Sequence, residues 1–217
     1  MRRIRLYLLA VVVIVCAGLL WKWGSRLEFV IGGAMVNIGY RLQDPHADYD
    51  FEHHEVSAPQ AWQAFLDQNR MASAVRATFP RTSRHPVIAM VACMDARLDT
   101  NEIAGDTRRY YYVLRLAGSV LSPKEEEMLE LAVANGVKVV VFTTHSDCAA
   151  EKVANDPALR PDYPSLTQAV AERKMRFDEF VARKRIGEKI AKGELLVKWA
   201  HVDTPTERVV PLEESHH

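Results

Sequence analysis

Two short stretches of this chain carry side chains able to hold a metal ion and to work beside it. Cys93-Met94-Asp95-Ala96-Arg97 closes one apolar run, and His145-Ser146-Asp147-Cys148 closes another. Zinc takes thiolate sulfur and imidazole nitrogen in a tetrahedral arrangement, and three protein ligands with a fourth position open describe a catalytic site. Cys93, His145 and Cys148 make such a set, with Asp95 and Arg97 beside it as a charged dyad. Each piece also has a plainer reading. A cysteine ending an apolar strand is more often a small buried hydrophobe. His-x-x-Cys alone can be a zinc half-site, the neighbour of a redox pair or chance, and Asp95 and Arg97 can be an ion pair across a turn. It is their arrival at two strand ends together that favours zinc. Cys93 and Cys148 do not form a Cys-x-x-Cys pair, which argues against thiol-redox chemistry.

The elements that must position these residues follow from hydrophobic patterning. Residues 87–93 (VIAMVAC), 110–116 (YYYVLRL), 138–143 (KVVVFT) and 195–202 (LLVKWAHV) read as short β-rich strands. Near-continuous apolar runs of this kind suit a parallel sheet buried on both faces. Residues 61–79 predict a helix with Trp62, Phe65, Leu66 and Met71 near helical spacing, ended by Pro80. Residues 123–135 predict another, with acids in its first turn and Gly136 just past its end. Residues 165–192 form a long charged helical region, in one piece or two. Alternating strand and helix predicts an α/β domain with a mostly parallel central sheet flanked by helices. In open sheets of this class, sites form at the carboxyl ends of strands, where both motifs fall.

The rest of the chain is not uniform. Its 217 residues include 28 basic and 28 acidic side chains, which disfavours nucleic-acid binding as the main business. The charge run 173–192, interrupted by Asp178, Glu179 and Glu188, reads as a solvated helix face rather than a phosphate stripe. Tyr110-Tyr111-Tyr112 reflects β propensity. Residues 6–20 (LYLLAVVVIVCAGLL) hold fifteen uncharged residues, preceded by Arg2, Arg3 and Arg5 and followed by Trp21-Lys22-Trp23. Fifteen helical residues fall short of a ~30 Å hydrocarbon core, but Trp21 and Trp23 as interfacial anchors and a snorkelling Arg5 bring the run within reach. One N-terminal transmembrane helix is therefore expected, with the arginines cytoplasmic and the domain extracytoplasmic, periplasmic or extracellular. Secretion after cleavage of a signal peptide is the rival, although no clean small-x-small site follows the run. The expected organisation is an anchor or signal over 1–26, a linker or juxtamembrane segment over 27–57, and one domain over 58–217. The first 26 residues carry five basic groups and no acid, so the remainder is net acidic by five.

Cys-x-Asp-x-Arg at 93–97, followed by His-x-x-Cys at 145–148, resembles the β-class carbonic anhydrases. The similarity extends to Leu66-Asp67-Gln68-Asn69-Arg70, His85-Pro86, Ala104-Gly105-Asp106, Arg115-Leu116-Ala117-Gly118 and Gly136-Val137-Lys138, covering roughly residues 58–209. The resemblance implies Zn2+ held by Cys93, His145 and Cys148, with Asp95 and Arg97 as the catalytic dyad. It implies attack of a zinc-bound hydroxide on carbon dioxide to give bicarbonate, with no nucleic acid partner. A homodimer or dimer-based oligomer is implied too, with the helix around 62–79 crossing to the partner. Three residues depart from the family pattern. Leu116 stands where the family usually has Asn, Ser119 where it has Gly or Asn, and Ala149 where it has Gly. These departures leave carbon disulfide or carbonyl sulfide as alternative substrates. They also leave a catalytically silent zinc-stabilised interaction domain, closed by Asp95, as a non-enzyme alternative. His53, His54 and His201 are nominal candidates for proton export.

Overall fold

The computed structural model describes residues 2–43, 57–78, 86–104 and 111–212, with the side chains of 2–17, 19–21 and a few single positions left outside that description. The expectations on His53, His54, His85, Gly105 and Asp106 fall outside the described residues. So do the side chains of the apolar run 6–20, apart from Gly18. The chain divides into two compact units, Met1–Arg81 and Thr82–His217.

The first unit holds two helices, α1 (Arg2–Gln43) and α2 (Ala58–Thr78). Helix α1 continues through residues 27–43, which sequence reading assigns to a linker or juxtamembrane segment, because Gly32 and Gly33 alone do not break a helix whose neighbours favour one. The expected boundary near residue 26 therefore lies inside a helix. Among the described residues, no helix is long and apolar enough to cross a membrane. The expected apolar stripe of α2 is largely exposed at Trp62, Phe65 and Met71, and its buried position is Ala64. The rings of Trp62 and Phe65 stack with centroids 5.6 Å apart. Thus α2 falls within the first unit, where a single domain over 58–217 was expected.

The second unit is the α/β domain. Its elements run β1 (Ile88–Cys93), α3 (Thr100–Ala104), β2 (Tyr111–Leu116), α4 (Pro123–Ala134), β3 (Val139–His145), α5 (Ala149–Asn155), α6 (Pro164–Ala182), α7 (Lys184–Ala191), β4 (Leu196–Asp203) and β5 (Arg208–Pro211). The sheet order is β2-β1-β3-β4-β5, with β1 to β4 parallel and β5 antiparallel at the edge. The four expected strands and the mostly parallel sheet are present. β5 escaped the sequence reading, since Arg208–Pro211 is short and ends in proline, features of an edge strand. Helices α3 and α5 also escaped it, being too short to show periodicity.

Local chemistry explains the boundaries. Ser122 and Glu125 form a capping box before α4, and Gly136 (φ 113°) takes the left-handed turn after it. The long charged helical region does break in two, at Arg183 (φ −56°, ψ 130°), whose side chain bonds Glu130 at 2.6 Å. Apolar residues of β1, β3 and β4 meet Leu129 and Val133 of α4, Phe180 of α6 and Ile186 of α7 in the main core. Phe142 sits in its middle, with the rings of Phe177, Phe180 and Trp199 at 5.0, 5.7 and 5.4 Å. A second, smaller cluster gathers Cys93, Leu98, Cys148, Ala150 and Val202 at the carboxyl ends of the strands.

Candidate metal centre

β1 ends at Cys93 and the neighbouring β3 ends at His145, so parallel pairing alone delivers both side chains to the same edge of the sheet. Cys148 follows after a turn in which Asp147 adopts φ 62°, a left-handed conformation that Asp tolerates better than most residues. This turn sets Cys148 at the N-terminal cap of α5. The sulfurs of Cys93 and Cys148 lie 4.0 Å apart. With a ring nitrogen of His145, the three ligand atoms fall within 4.8 Å of one another, and all three residues are buried. The sequence reading brought these same three residues together.

Two observations test whether a metal suits the site. His145 Nδ1 donates to the carbonyl of Ser146 at 3.0 Å, with Thr204 Oγ1 at 3.2 Å, which leaves Nε2 as the free lone pair. That Nε2 is buried and has no hydrogen-bond partner among the described residues. A buried nitrogen left unpaired costs free energy unless something else takes its lone pair. The two sulfurs are within hydrogen-bonding reach, and that contact holds the Cys93 thiol down to about 4, with backbone N–H groups of Asp95 and Gly118 acting in the same direction. The same contact and burial push Cys148 up. A site that already stabilises thiolate and presents a bare imidazole nitrogen fits Zn2+.

Around the ligands the charged dyad is more than a pair. Arg97 grips Asp95 in a fork, Nε to Oδ1 at 3.0 Å and Nη2 to Oδ2 at 2.7 Å. Its Nη1 reaches Asp147 Oδ2 at 2.9 Å, and Nη2 reaches the Asp147 carbonyl at 3.0 Å. Arg97 therefore ties the end of β1 to the end of β3. It also holds the Asp95 carboxyl well below the usual carboxylate range, so Asp95 is an ionised acceptor at any physiological pH. Lys152 adds a further ion pair to Asp147. Beside the sulfurs lies a cavity of about 210 Å³ lined by Cys93, Asp95 and the apolar Met94, Ala149, Val153 and Leu166, among others.

A family model described as carbonic anhydrase matches residues 88–208, more than half of the chain. The chain belongs to the carbonic anhydrase family. Among its relatives, beta-carbonic anhydrase 1 of Mycobacterium tuberculosis (strain ATCC 25618 / H37Rv) is 28% identical over 120 residues, spanning 46% of this chain and 71% of that protein. CafA, a β-carbonic anhydrase of Aspergillus fumigatus, superposes with a TM-score of 0.55 at 20% identity, covering 72% of this chain and 92% of that one. A carbonic anhydrase from Streptococcus mutans gives 0.51 at 20% identity, covering 69% and 97%. One of two tetrameric β-carbonic anhydrases from Sordaria macrospora gives 0.50 at 21%, covering 70% and 95%. These likenesses establish the β-carbonic anhydrase fold.

Against this family background, the three departures have distinct structural consequences. Leu116 ends β2 and packs against the main core. Ser119 is buried and takes φ 56°, next to Gly118 at φ 61°, so two successive left-handed residues turn the chain after β2. Ala149 begins α5 with ordinary helical backbone, and Asp147 is the residue that carries the positive φ.

Sequence reasoning missed several supporting groups. Arg115 Nε donates to the Cys93 carbonyl at 3.2 Å, and its Nη2 bonds the Asp95 carbonyl. Thr204, in the β4–β5 turn, donates to the Ser146 carbonyl at 2.7 Å and so shares the acceptor of the His145 ring. The positive φ of Asp147 had one legible signal, Asp's tolerance of such a turn. Thr204 had none, because its role depends on where β5 folds back. His201 is bonded through Nδ1 to Thr144 Oγ1 at 3.0 Å.

Proposed function

We propose that this chain catalyses the zinc-dependent, reversible hydration of carbon dioxide to bicarbonate. One observation carries the reading: two thiolate-forming sulfurs and an unpartnered, buried imidazole nitrogen converge within 4.8 Å, beside an apolar cavity lined by Cys93 and Asp95. Cys93, Cys148 and His145 would hold the metal, which when bound supplies Lewis acidity and a nucleophile at neutral pH. Two thiolates lower the net charge at the site, so water there needs a positioned acceptor to be activated. Asp95 supplies it. Its carboxylate lines the cavity and is kept ionised and fixed in place by the Arg97 fork. The Met94, Ala149, Val153 and Leu166 walls accept an uncharged linear molecule and exclude competing water. Helix α5 and the Asp147 turn fix the second sulfur before substrate arrives.

The apolar character of the cavity favours carbon disulfide or carbonyl sulfide as a second reading. Zinc quantification and stopped-flow kinetics on the full chain in detergent, with carbon dioxide and both sulfur analogues, separate the possibilities. About one zinc per chain with carbon dioxide hydration is expected. Zinc with activity on a sulfur analogue alone would transfer the assignment to that substrate. Zinc with no turnover of any of them would make the domain a silent, zinc-stabilised module.

The reading extends to location and assembly. Residues 6–20, with Arg2, Arg3 and Arg5 before them and Trp21 and Trp23 after, anchor the chain as a single membrane-spanning helix, with the domain extracytoplasmic. Secretion after cleavage is the alternative, and the N-terminal mass of the mature chain decides between them. The exposed Trp62, Phe65, Met71 and Val75 of α2 favour a homodimer or dimer-based oligomer, which light scattering in detergent measures.

A further inference from the structure

Behind the metal centre lies a charged pair that neither the family motif nor the dyad uses. Arg173 of α6 was expected on a solvated face, and its neighbours behave so: Lys174 pairs with Asp178 at 2.9 Å and Arg176 with Glu179 at 3.1 Å, both acids being well exposed. Arg173 turns inward instead, its side chain only 16% exposed, and donates from Nη1 to Glu151 Oε1 at 2.6 Å. Its Nε is buried with no partner among the described residues. A strongly hydrated cation does not leave water without a reason in its surroundings.

The contacts of the two partners supply the reason. Glu151 lies in the first turn of α5, the helix that Cys148 caps. On the other side, Nη2 of Arg173 lies against Gly118, where an added Cβ would come within 3.3 Å of it and within 3.2 Å of Val170. Gly118 lies two residues past Leu116, which pairs with Cys93 in the sheet. A continuous span therefore runs from one cysteine to the other. It passes from Cys148 along the first turn of α5, through the Glu151 carboxylate to Arg173, and across the packed Gly118 turn and Leu116 to Cys93. Arg97 ties the two strand ends together on the exposed side, and Arg173 does so from behind. A fork with two nitrogens in two directions can make this span, which an ammonium on a flexible stem cannot.

We propose that Arg173 and Glu151 are positioning residues that hold the Gly118 turn and the first turn of α5, and through them the two sulfurs, at the separation a zinc ion requires. The proposal rests on the zinc reading of the site. Groups of this kind, one step behind the ligands, typically contribute 10–100-fold in metal affinity.

The test uses the full chain in detergent and the metal alone. Zinc affinity is measured by competition with a chelator, and the thiolate-to-cobalt absorption is recorded after cobalt(II) substitution. Glu151→Gln and Arg173→Met are each expected to weaken zinc binding about 10- to 100-fold and to shift the cobalt bands. The double variant should be no worse than the weaker single one, because both break the same span. Arg173→Lys should restore part of the affinity through Glu151 without restoring the spectrum, since it leaves Gly118 unsupported. Glu151→Gln keeps the side-chain volume on a partly exposed site, so it carries the test alone if Arg173→Met does not fold. Wild-type affinity and spectrum in a folded Glu151→Gln chain would overturn the proposal. So would a lowered melting temperature with both metal readouts unmoved. A wild-type chain that takes up no zinc would instead sink the zinc reading, a separate result.

Discussion

The ends of β1 and β3 are adjacent and parallel, yet they deliver their ligands by different means. β1 needs only its register: Cys93 is the last residue of the strand, paired with Leu116 and held by Arg115 at its carbonyl. β3 places His145 the same way but must then turn the chain through a left-handed residue to bring Cys148 back to within 4.0 Å of Cys93. The first end is determined by the sheet, the second by a turn and the helix that follows. Arg97 and, on our proposal, Arg173 are the struts that make the two means agree. A metal site assembled from a strand and a turn needs such struts, because a turn alone does not fix a sulfur to the precision that ligation demands.

The widest break in this comparison is removal of a ligand. Cys93→Ser, His145→Ala and Cys148→Ser should each reduce zinc from about one per chain to near none and hydration to the uncatalysed background, read by metal analysis and stopped flow. Since the proposal gives both ends equal standing, a Cys148→Ser chain that kept full zinc would break it.

A smaller effect separates holding the metal from using it. Asp95→Asn should leave zinc content unchanged and lower hydration by about 10²–10⁴-fold, the range for a positioned proton acceptor. Arg97→Met should weaken zinc binding, as loss of a strut requires, and at saturating zinc should lower activity less than Asp95→Asn, since the Asp95 carboxylate remains. Its defect should not be recovered by raising pH. Asp95 already titrates far below the working range, so releasing it toward an ordinary carboxylate still leaves it ionised at neutral pH. A pH optimum that moved by several units would contradict this.

The smallest effect is a control outside both strand ends. Glu126 of α4 is buried, with Oε1 unpartnered among the described residues and Oε2 3.4 Å from Arg183 Nη1. Burial raises its carboxyl above the usual range. A raised folded pKa means that its favourable contribution is present at acid pH and lost as pH climbs through that value. Glu126→Gln should therefore stabilise the fold by on the order of 1 kcal/mol at neutral pH. The gain should vanish in acid, as measured by thermal unfolding across pH, with zinc affinity untouched.

Much of the α/β domain was legible because its strands are apolar on both faces and its helices carry their own stop signals. Ile88–Cys93 is buried nearly throughout, as a central parallel strand must be, and Ser122, Glu125 and Gly136 mark the ends of α4. Elements with weak local signals were not legible. Arg208–Pro211 becomes a strand only because β4 offers it an edge, and α5 exists because the Asp147 turn starts it. The first unit shows the opposite failure. Residues 29–38 look like a separate segment, yet α1 runs through them to Gln43, a continuity that a glycine pair obscures in the sequence.

The sequence by itself determined the chemistry: two cysteines and a histidine of the right types at the ends of buried strands, and an Asp and Arg two residues apart. Residue identity and strand order suffice for that, since parallel strands must end on the same side. Only the tertiary structure decided which of the remaining charges serve the site. Arg97 reaching Asp147, Arg115 gripping the Cys93 carbonyl and Arg173 turning from a helix face toward Glu151 are contacts between residues 22 to 50 positions apart. No local pattern encodes such contacts, because an arginine's partner is set by the packing of neighbouring elements rather than by its neighbours in the chain.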